Sequence, residues 1–209
     1  LKSELTLQIF DFASRSKVKS VVMPVPVTFW KWISERTIGI VTAAAVYHWD
    51  AFNTSEPVKM FDRHASLQSS QIINYRCDST EKWLVLVGIS ATGSDHVAGN
   101  IQLYSVDKKL SQAIEGHAAA FADLTLEGHP ASLFLFASKT ASGTSKLHIA
   151  EIDTGKKPAG APKFSKKATD IYYPPEFPND FPVALQVSSK YAIAYLITRQ
   201  GYAHLFDLD

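Results

Sequence analysis

The chain has one cysteine, Cys77, among 209 residues. It therefore makes no internal disulfide, and it lacks the paired cysteines of a zinc finger or a redox couple. Long apolar runs are missing too, since no stretch approaches the roughly 18 residues that a membrane-spanning helix needs. The opening residues, Leu1 to Phe10, alternate like a strand and carry charges, which is not the pattern of a secretory leader. Neither sign of charge is in excess, because 21 lysines and arginines face 20 aspartates and glutamates. A chain-wide positive field of the kind that gathers nucleic acid or an acidic membrane is thus absent. Aromatic residues are not scarce: at 11%, within an apolar share of 46%, they exclude a disordered chain.

Motifs that carry chemistry are missing as well. The histidines His48, His64, His96, His117, His129, His148 and His204 form neither HExxH nor HxxxH, the spacings that put two metal ligands on one helix face. No Walker-type or dinucleotide glycine loop occurs, and no Gly-x-Ser-x-Gly. No acid–base pair offers itself for catalysis, so the expected class is a non-enzyme without metal or cofactor.

What is present is a period of two. Strand-like alternation runs through Leu7–Phe10, Val27–Ile33, Thr37–Thr42, Ala45–Phe52, Ile72–Cys77 and Trp83–Ile89. It continues through Ile101–Val106, Leu133–Ala137, Leu147–Ile152, Val183–Val187, Ile193–Thr198 and Tyr202–Leu208. These runs are short, rich in aromatic and β-branched residues, and separated by turn signals such as Asn53–Pro57, Thr92–Asp95, Ser142–Thr144 and Arg199–Gly201. The spacing predicts an all-β chain without amphipathic helices.

The strands also echo one another. Leu7–Asp11, Val46–Asp50, Ile101–Ser105, Leu147–Glu151 and Ala203–Asp207 share the order apolar, any, apolar, often aromatic, then Asp, Glu or Ser. Their fourth members lie 39, 55, 46 and 56 residues apart, a mean of 49. Repeats of that length, built from about four short strands, point to the blades of a β-propeller. Trp49-Asp50, Gly116-His117 and Gly128-His129 hint at WD40 repeats, but neither Gly-His has a Trp-Asp downstream. His48, His148 and His204 recur within the echo, which gives them a structural reading.

Two basic features stand out. Lys156, Lys157, Lys163, Lys166 and Lys167 lie in a Pro/Gly-rich stretch with no acidic residue from Thr154 to Thr169; they read as a solvated loop, or as a contact for phosphate or acidic lipid. Arg15, Lys17 and Lys19 alternate directly after the first strand, so regular geometry projects them to one side. On that strand Phe10 shares a face with Thr6 and Gln8, opposite Leu7 and Ile9. A ring, an amide and a row of cations make a groove for an extended acidic peptide; the alternative is that Phe10 packs between neighbouring sheets.

Several blocks, in order, resemble the amino-terminal domain of clathrin heavy chains: Thr28–Ser34 (TFWKWIS), Ala45–Trp49 (AVYHW), Pro57–His64 (PVKMFDRH), Gln71–Arg76 (QIINYR), Gln102–Asp107 (QLYSVD) and Asn179–Val183 (NDFPV). The resemblance runs from the first residue to the last. It implies a seven-bladed propeller that is not an enzyme and that captures short linear motifs of adaptor and accessory proteins. The setting it implies is the cytoplasmic face of coated pits and coated vesicles, with the membrane reached only through adaptors. By the same resemblance, Thr6, Gln8, Phe10, Arg15 and Lys17 match a groove for acidic and hydrophobic clathrin-box peptides. Arg15 stands there in place of the usual lysine. Trp83, Leu103, Lys108 and Gln112 match a second groove, with Lys108 where many relatives have arginine. Gln71, Ile73 and Ile89 match part of a third site at the top of the propeller. Trimerisation and light-chain binding belong to regions of the family outside this stretch.

At about 49 residues per repeat the chain holds some four to five blades. Against the seven blades that the resemblance implies, residues 1–209 are expected to be the middle blades of an incomplete propeller, the resemblance placing the others before Leu1 and after Asp209. A purely structural propeller segment, or a WD40-like scaffold with incomplete grooves, is the alternative these residues leave open.

Overall fold

Alternate residues of an extended chain point to opposite faces, and the two-residue period of this sequence does build strands. The computed structural model describes residues 5–93, 96–126, 128–155 and 166–208. Among these residues the only helical element is a single 3-10 turn, Ala65–Leu67. The chain divides into two compact units, Leu1–Gln68 and Ser69–Asp209.

In the first unit, β1 (Thr6–Asp11) pairs with β2 (Ser16–Val22). A four-stranded sheet follows, formed by β3 (Val27–Trp32), β4 (Thr37–Thr42), β5 (Ala45–Asp50) and β6 (Val58–Asp62). The second unit holds three sheets. One contains β7 (Gln71–Cys77), β8 (Trp83–Ala91), β9 (Val97–Ser105) and β10 (Leu110–Glu115). The next contains β11 (Ala118–Leu126), β12 (His129–Lys139), β13 (Ser145–Glu151) and β14 (Lys167–Asp170). The last contains β15 (Pro182–Ser188), β16 (Ile193–Thr198) and β17 (Ala203–Asp207). Every pairing is antiparallel, and neighbours in a sheet are neighbours in sequence. Three of the five described sheets have the four strands expected of a propeller blade.

The echoing segments fall on equivalent places. Val46–Asp50, Ile101–Ser105, Leu147–Glu151 and Ala203–Asp207 lie in β5, β9, β13 and β17, the third strand of each larger sheet. Leu7–Asp11 lies in β1, which is followed, as β5, β9 and β13 are, by a last strand at the sheet edge.

Strands β6, β10, β11 and β14 carry no alternation that the sequence reveals. Strands β6, β10 and β14 are sheet edges whose side chains are mostly exposed, so nothing enforces alternation. Strand β11 fails for the opposite reason. Ala118, Ala120, Ala122 and Leu124 pack with Leu133, Leu135, Leu147 and Ile149 against Leu185, Ala194 and Leu196 of the last sheet. Ala119, on the other face, packs with Phe134 against Val85, Val87, Ile101 and Leu103. A strand covered on both faces reads as a continuous apolar run.

Burial of each large side chain in these seams contributes about 1.5–3 kcal/mol. A lysine finishes the work at one end. Lys139, buried at the end of β12, donates through Nζ to the carbonyls of Pro178 (2.5 Å) and Asp180, and lies 4.3 Å from the centre of the Tyr173 ring. The Asp180 carboxylate, also buried, accepts the N–H groups of Phe181 (2.9 Å) and Gln200 (3.1 Å). The segment leading into β15 is thereby tied to the end of β12 and to the turn between β16 and β17.

Gly99 marks the closest backbone approach. A Cβ there would sit 2.3 Å from the carbonyl oxygen of Gly116, whose own N–H donates to Gly99 O at 3.0 Å. Neither backbone can yield, so Gly99→Ala is expected to destabilise the chain by about 1–3 kcal/mol, read as a lower melting temperature. Three histidines, His117 buried and His48 and His148 half-buried, supply a second expectation. Burial pushes His48 down to about 4 and lowers His117 and His148 as well. Between about pH 6.5 and 4 the unfolded chain therefore takes up protons that the folded chain refuses. Stability is full above that window and falls as pH drops through it. Thermal melts at pH 7.5 and 5 should reveal the loss, and His48→Leu should reduce it.

Candidate functional site

The first group of expected site residues lies on the hairpin β1–β2. Gln8 pairs with Ser20, and Thr6 with Val22. A bulge then intervenes: Phe10 pairs with Lys17 and Ile9 with Lys19, leaving Val18 as the extra residue. Leu7, Ile9 and Val21 pack on Ile38, Ile40 and Trp49 of the adjacent sheet. The opposite face holds Thr6, Gln8, Phe10 and Lys17, and there Gln8 and Lys17 are exposed and Phe10 is 54% exposed. Among the described residues no sheet covers that face.

The bulge corrects one expectation. Lys19 does not share a side with Lys17, because the extra residue between them turns it to the packed face. Its Nζ donates to the carbonyls of Asp50 (2.8 Å), Asn53 (2.7 Å) and Ser55 (3.0 Å) and lies 4.8 Å from the Trp49 ring centre. Lys19 is a structural clamp on the loop after β5. The cations that remain beside Phe10 are Lys17 and the exposed Arg15.

Arg15 closes the hairpin with φ of 53°, in the left-handed region. The turn is set by Asp11, whose carboxylate accepts the Ser14 hydroxyl and the Ala13 N–H, both at 2.8 Å. Those bonds, the Ser14 hydroxyl first, hold Asp11 below the usual carboxylate range. The cations are thus held at one end of the face by a locally determined turn.

The other two groups share one sheet. Trp83 pairs with Ser105, Val85 with Leu103, and Leu103 with Gln112, so Trp83, Leu103 and Gln112 stand on one face in adjacent rows. Leu103 is buried, Trp83 half-buried, and Gln112 exposed, as is Lys108 in the turn between β9 and β10. The Trp83 indole N–H donates to the carbonyl of Asp153, at 2.7 Å, beyond the end of β13. Gln71 pairs with Ile89, and Ile73 is the extra residue of a bulge between Ile72 and Asn74. Ile89 and Trp83 lie six positions apart on β8 and hence on the same face, about 20 Å from each other. Val85 and Val87, between them, pack on the neighbouring sheet. One face of one sheet therefore carries both candidate sites, at opposite ends.

The remaining chemistry is structural. His148 stacks on Phe136 with ring centres 4.5 Å apart, and His117 bonds through Nε2 to the carbonyl of Val97 at 2.8 Å. Among the described residues no group of three or more His, Cys, Asp or Glu side chains is placed to hold a metal. Of the basic run, Lys156, Lys157 and Lys163 lie outside the described residues, while Lys166 and Lys167 are exposed at the start of β14.

Comparison with known proteins gives this geometry a family. Residues 67–107 and 174–209 match the clathrin propeller repeat. Each match takes in the first three strands of one sheet, β7–β9 and β15–β17. Among solved structures, the β-propeller domain of Cps50 (Swd1) from Myceliophteria thermophila superposes with a TM-score of 0.54 at 7% identity, over 98% of this chain and 64% of that one. The Pan2 WD40 domain of Neurospora crassa gives 0.50 at 12% identity, over 92% and 53%. These likenesses concern the propeller fold alone. Over its whole length the chain is 54% identical to the clathrin heavy chain of Drosophila melanogaster and 53% identical to clathrin heavy chain 2 of Homo sapiens. It spans only 12% and 13% of those relatives. The chain belongs to the clathrin heavy chain family, as a segment of its propeller region.

Proposed function

We propose that this chain forms the middle blades of a seven-bladed propeller and docks short linear peptides of adaptor and accessory proteins, without catalysis. The observation that carries the reading is the exposed face of β1–β2. Phe10 presents a half-exposed ring, Gln8 an amide able to bond a passing backbone, and Lys17 with Arg15 a positive end. An extended peptide with apolar residues followed by carboxylates complements that order. Trp83, Leu103, Lys108 and Gln112 provide a second contact, and Gln71, Ile73 and Ile89 part of a third.

Binding of this kind is weak for one peptide, because an extended segment loses its conformational freedom on docking. Multiplied over several grooves and many copies on one membrane, it rises by about 10²–10⁴ when the geometry permits. The role that fits is a coat component at the cytoplasmic face of coated pits and vesicles, held to membrane through adaptors and able to let go.

The double variant Gln8→Ala/Phe10→Ala is expected to lose most capture of an acidic clathrin-box peptide while melting as the parent does, since both side chains are exposed. Undiminished capture by the folded variant, measured by fluorescence anisotropy, would sink the assignment. Lys17→Glu should weaken capture strongly at low salt and much less at 0.5 M salt, where exposed charges are screened beyond about 4 Å. Lys19→Met should do the reverse, lowering the melting temperature while leaving peptide affinity unchanged.

A further inference from the structure

The unit Ser69–Asp209 contains a cavity that none of the grooves above uses. It encloses about 240 Å³ where β7 ends, beside β11 and the turn between β15 and β16. That is below the roughly 300–1000 Å³ of sites that take whole small molecules, and it suits a single long side chain. Its apolar side chains are Phe121 and Ile152, which belong to the seam with the β7–β10 sheet.

The walls are acceptors fixed in place. The Asp123 carboxylate accepts the hydroxyls of Ser79 and of Ser132 (2.6 Å), and the Ser132 hydroxyl lies 2.9 Å from that of Thr154. The lining includes two carboxylates, Asp78 and Asp123, and among the described residues that form it none is basic. Asp78 is committed to its own turn, taking the N–H groups of Thr80 (2.9 Å) and Trp83 (2.7 Å). Asp123 lines a second, wider groove as well, which runs out past Pro130 and the exposed ring of Tyr191, with the Lys190 ammonium 4.9 Å from that ring's centre as the groove's one cation among the described residues. Cavity and groove therefore meet at one carboxylate.

We propose that this is a peptide-binding pocket of its own, in which an arginine side chain enters the cavity and the flanking chain lies along the Tyr191 groove. The methylene stem of arginine suits the apolar side chains of Phe121 and Ile152. Its planar guanidinium has five donors for a carboxylate and the hydroxyls around it, and is less strongly hydrated than an ammonium. The proposal is independent of the Phe10, Trp83 and Gln71 sites, since none of their residues lines the cavity.

Cys77, the sole cysteine, lines the same cavity and reports on its occupancy. Burial raises its thiol to about 11, so alkylation is slow and is best followed at pH 9. The probe is a blocked pentapeptide with a central arginine, against the same peptide carrying citrulline. The arginine peptide should slow Cys77 alkylation by several-fold at millimolar concentration and the citrulline peptide much less. Asp123→Asn should weaken the protection about tenfold or more, and Ser189→Trp, at the exposed rim, should abolish it by plugging the entrance. Thermal melts establish that both variants fold. Equal protection by the two peptides, no protection by either, or protection untouched in both folded variants would overturn the proposal.

Discussion

A small sheet with apolar side chains on both faces has no stable life alone. The sheet β11–β14 meets this constraint most fully, with Leu and Ala side chains turned to one neighbour and Ala119 and Phe134 to the other. Which side chains stay accessible follows largely from it. The centres of such faces are closed by packing, so side chains become accessible at the ends and outer edges of the seams. Trp83 and Ile89 occupy the two ends of one such face, and Lys108 and Gln112 its outer margin. The cavity at Asp123 lies where three sheets come together without filling the space between the ends of their strands.

How much of this was legible in the sequence depended on exposure. Third strands are covered enough to enforce apolar positions and open enough to keep polar ones between them, and these are the strands whose echo stands out: β5, β9, β13 and β17. Edge strands such as β14 are too exposed to leave a period, and β11 is too buried. The proposed site residues of the β7–β10 sheet come from the clathrin resemblance and not from spacing, because pairing across strands decides which residues meet. That Gln71 opposes Ile89, or that Gln112 opposes Leu103, is a property of register.

Lys19 is the plainest failure of spacing. Two residues from Lys17, it belongs on the same side of any regular strand, and the extra residue Val18 places it on the other. No composition or period announces that bulge. The cavity escaped for a different reason: Ser79, Asp123, Ser132 and Ser189 are scattered over more than a hundred residues and are individually unremarkable polar side chains. Only the fold makes them neighbours.

The hydrogen bond from the Trp83 indole to the Asp153 carbonyl has a consequence for selectivity. An indole has one N–H to give, and here it is already held by the protein. A peptide docked there as proposed above would meet a ring fixed in position, with only a face and an edge to offer. Such a surface discriminates by volume and contour and is indifferent to the pattern of polar atoms on its guest. On the proposed reading, many different sequences of similar bulk could then use it, and exchange between them would need no hydrogen bond at the ring to break first.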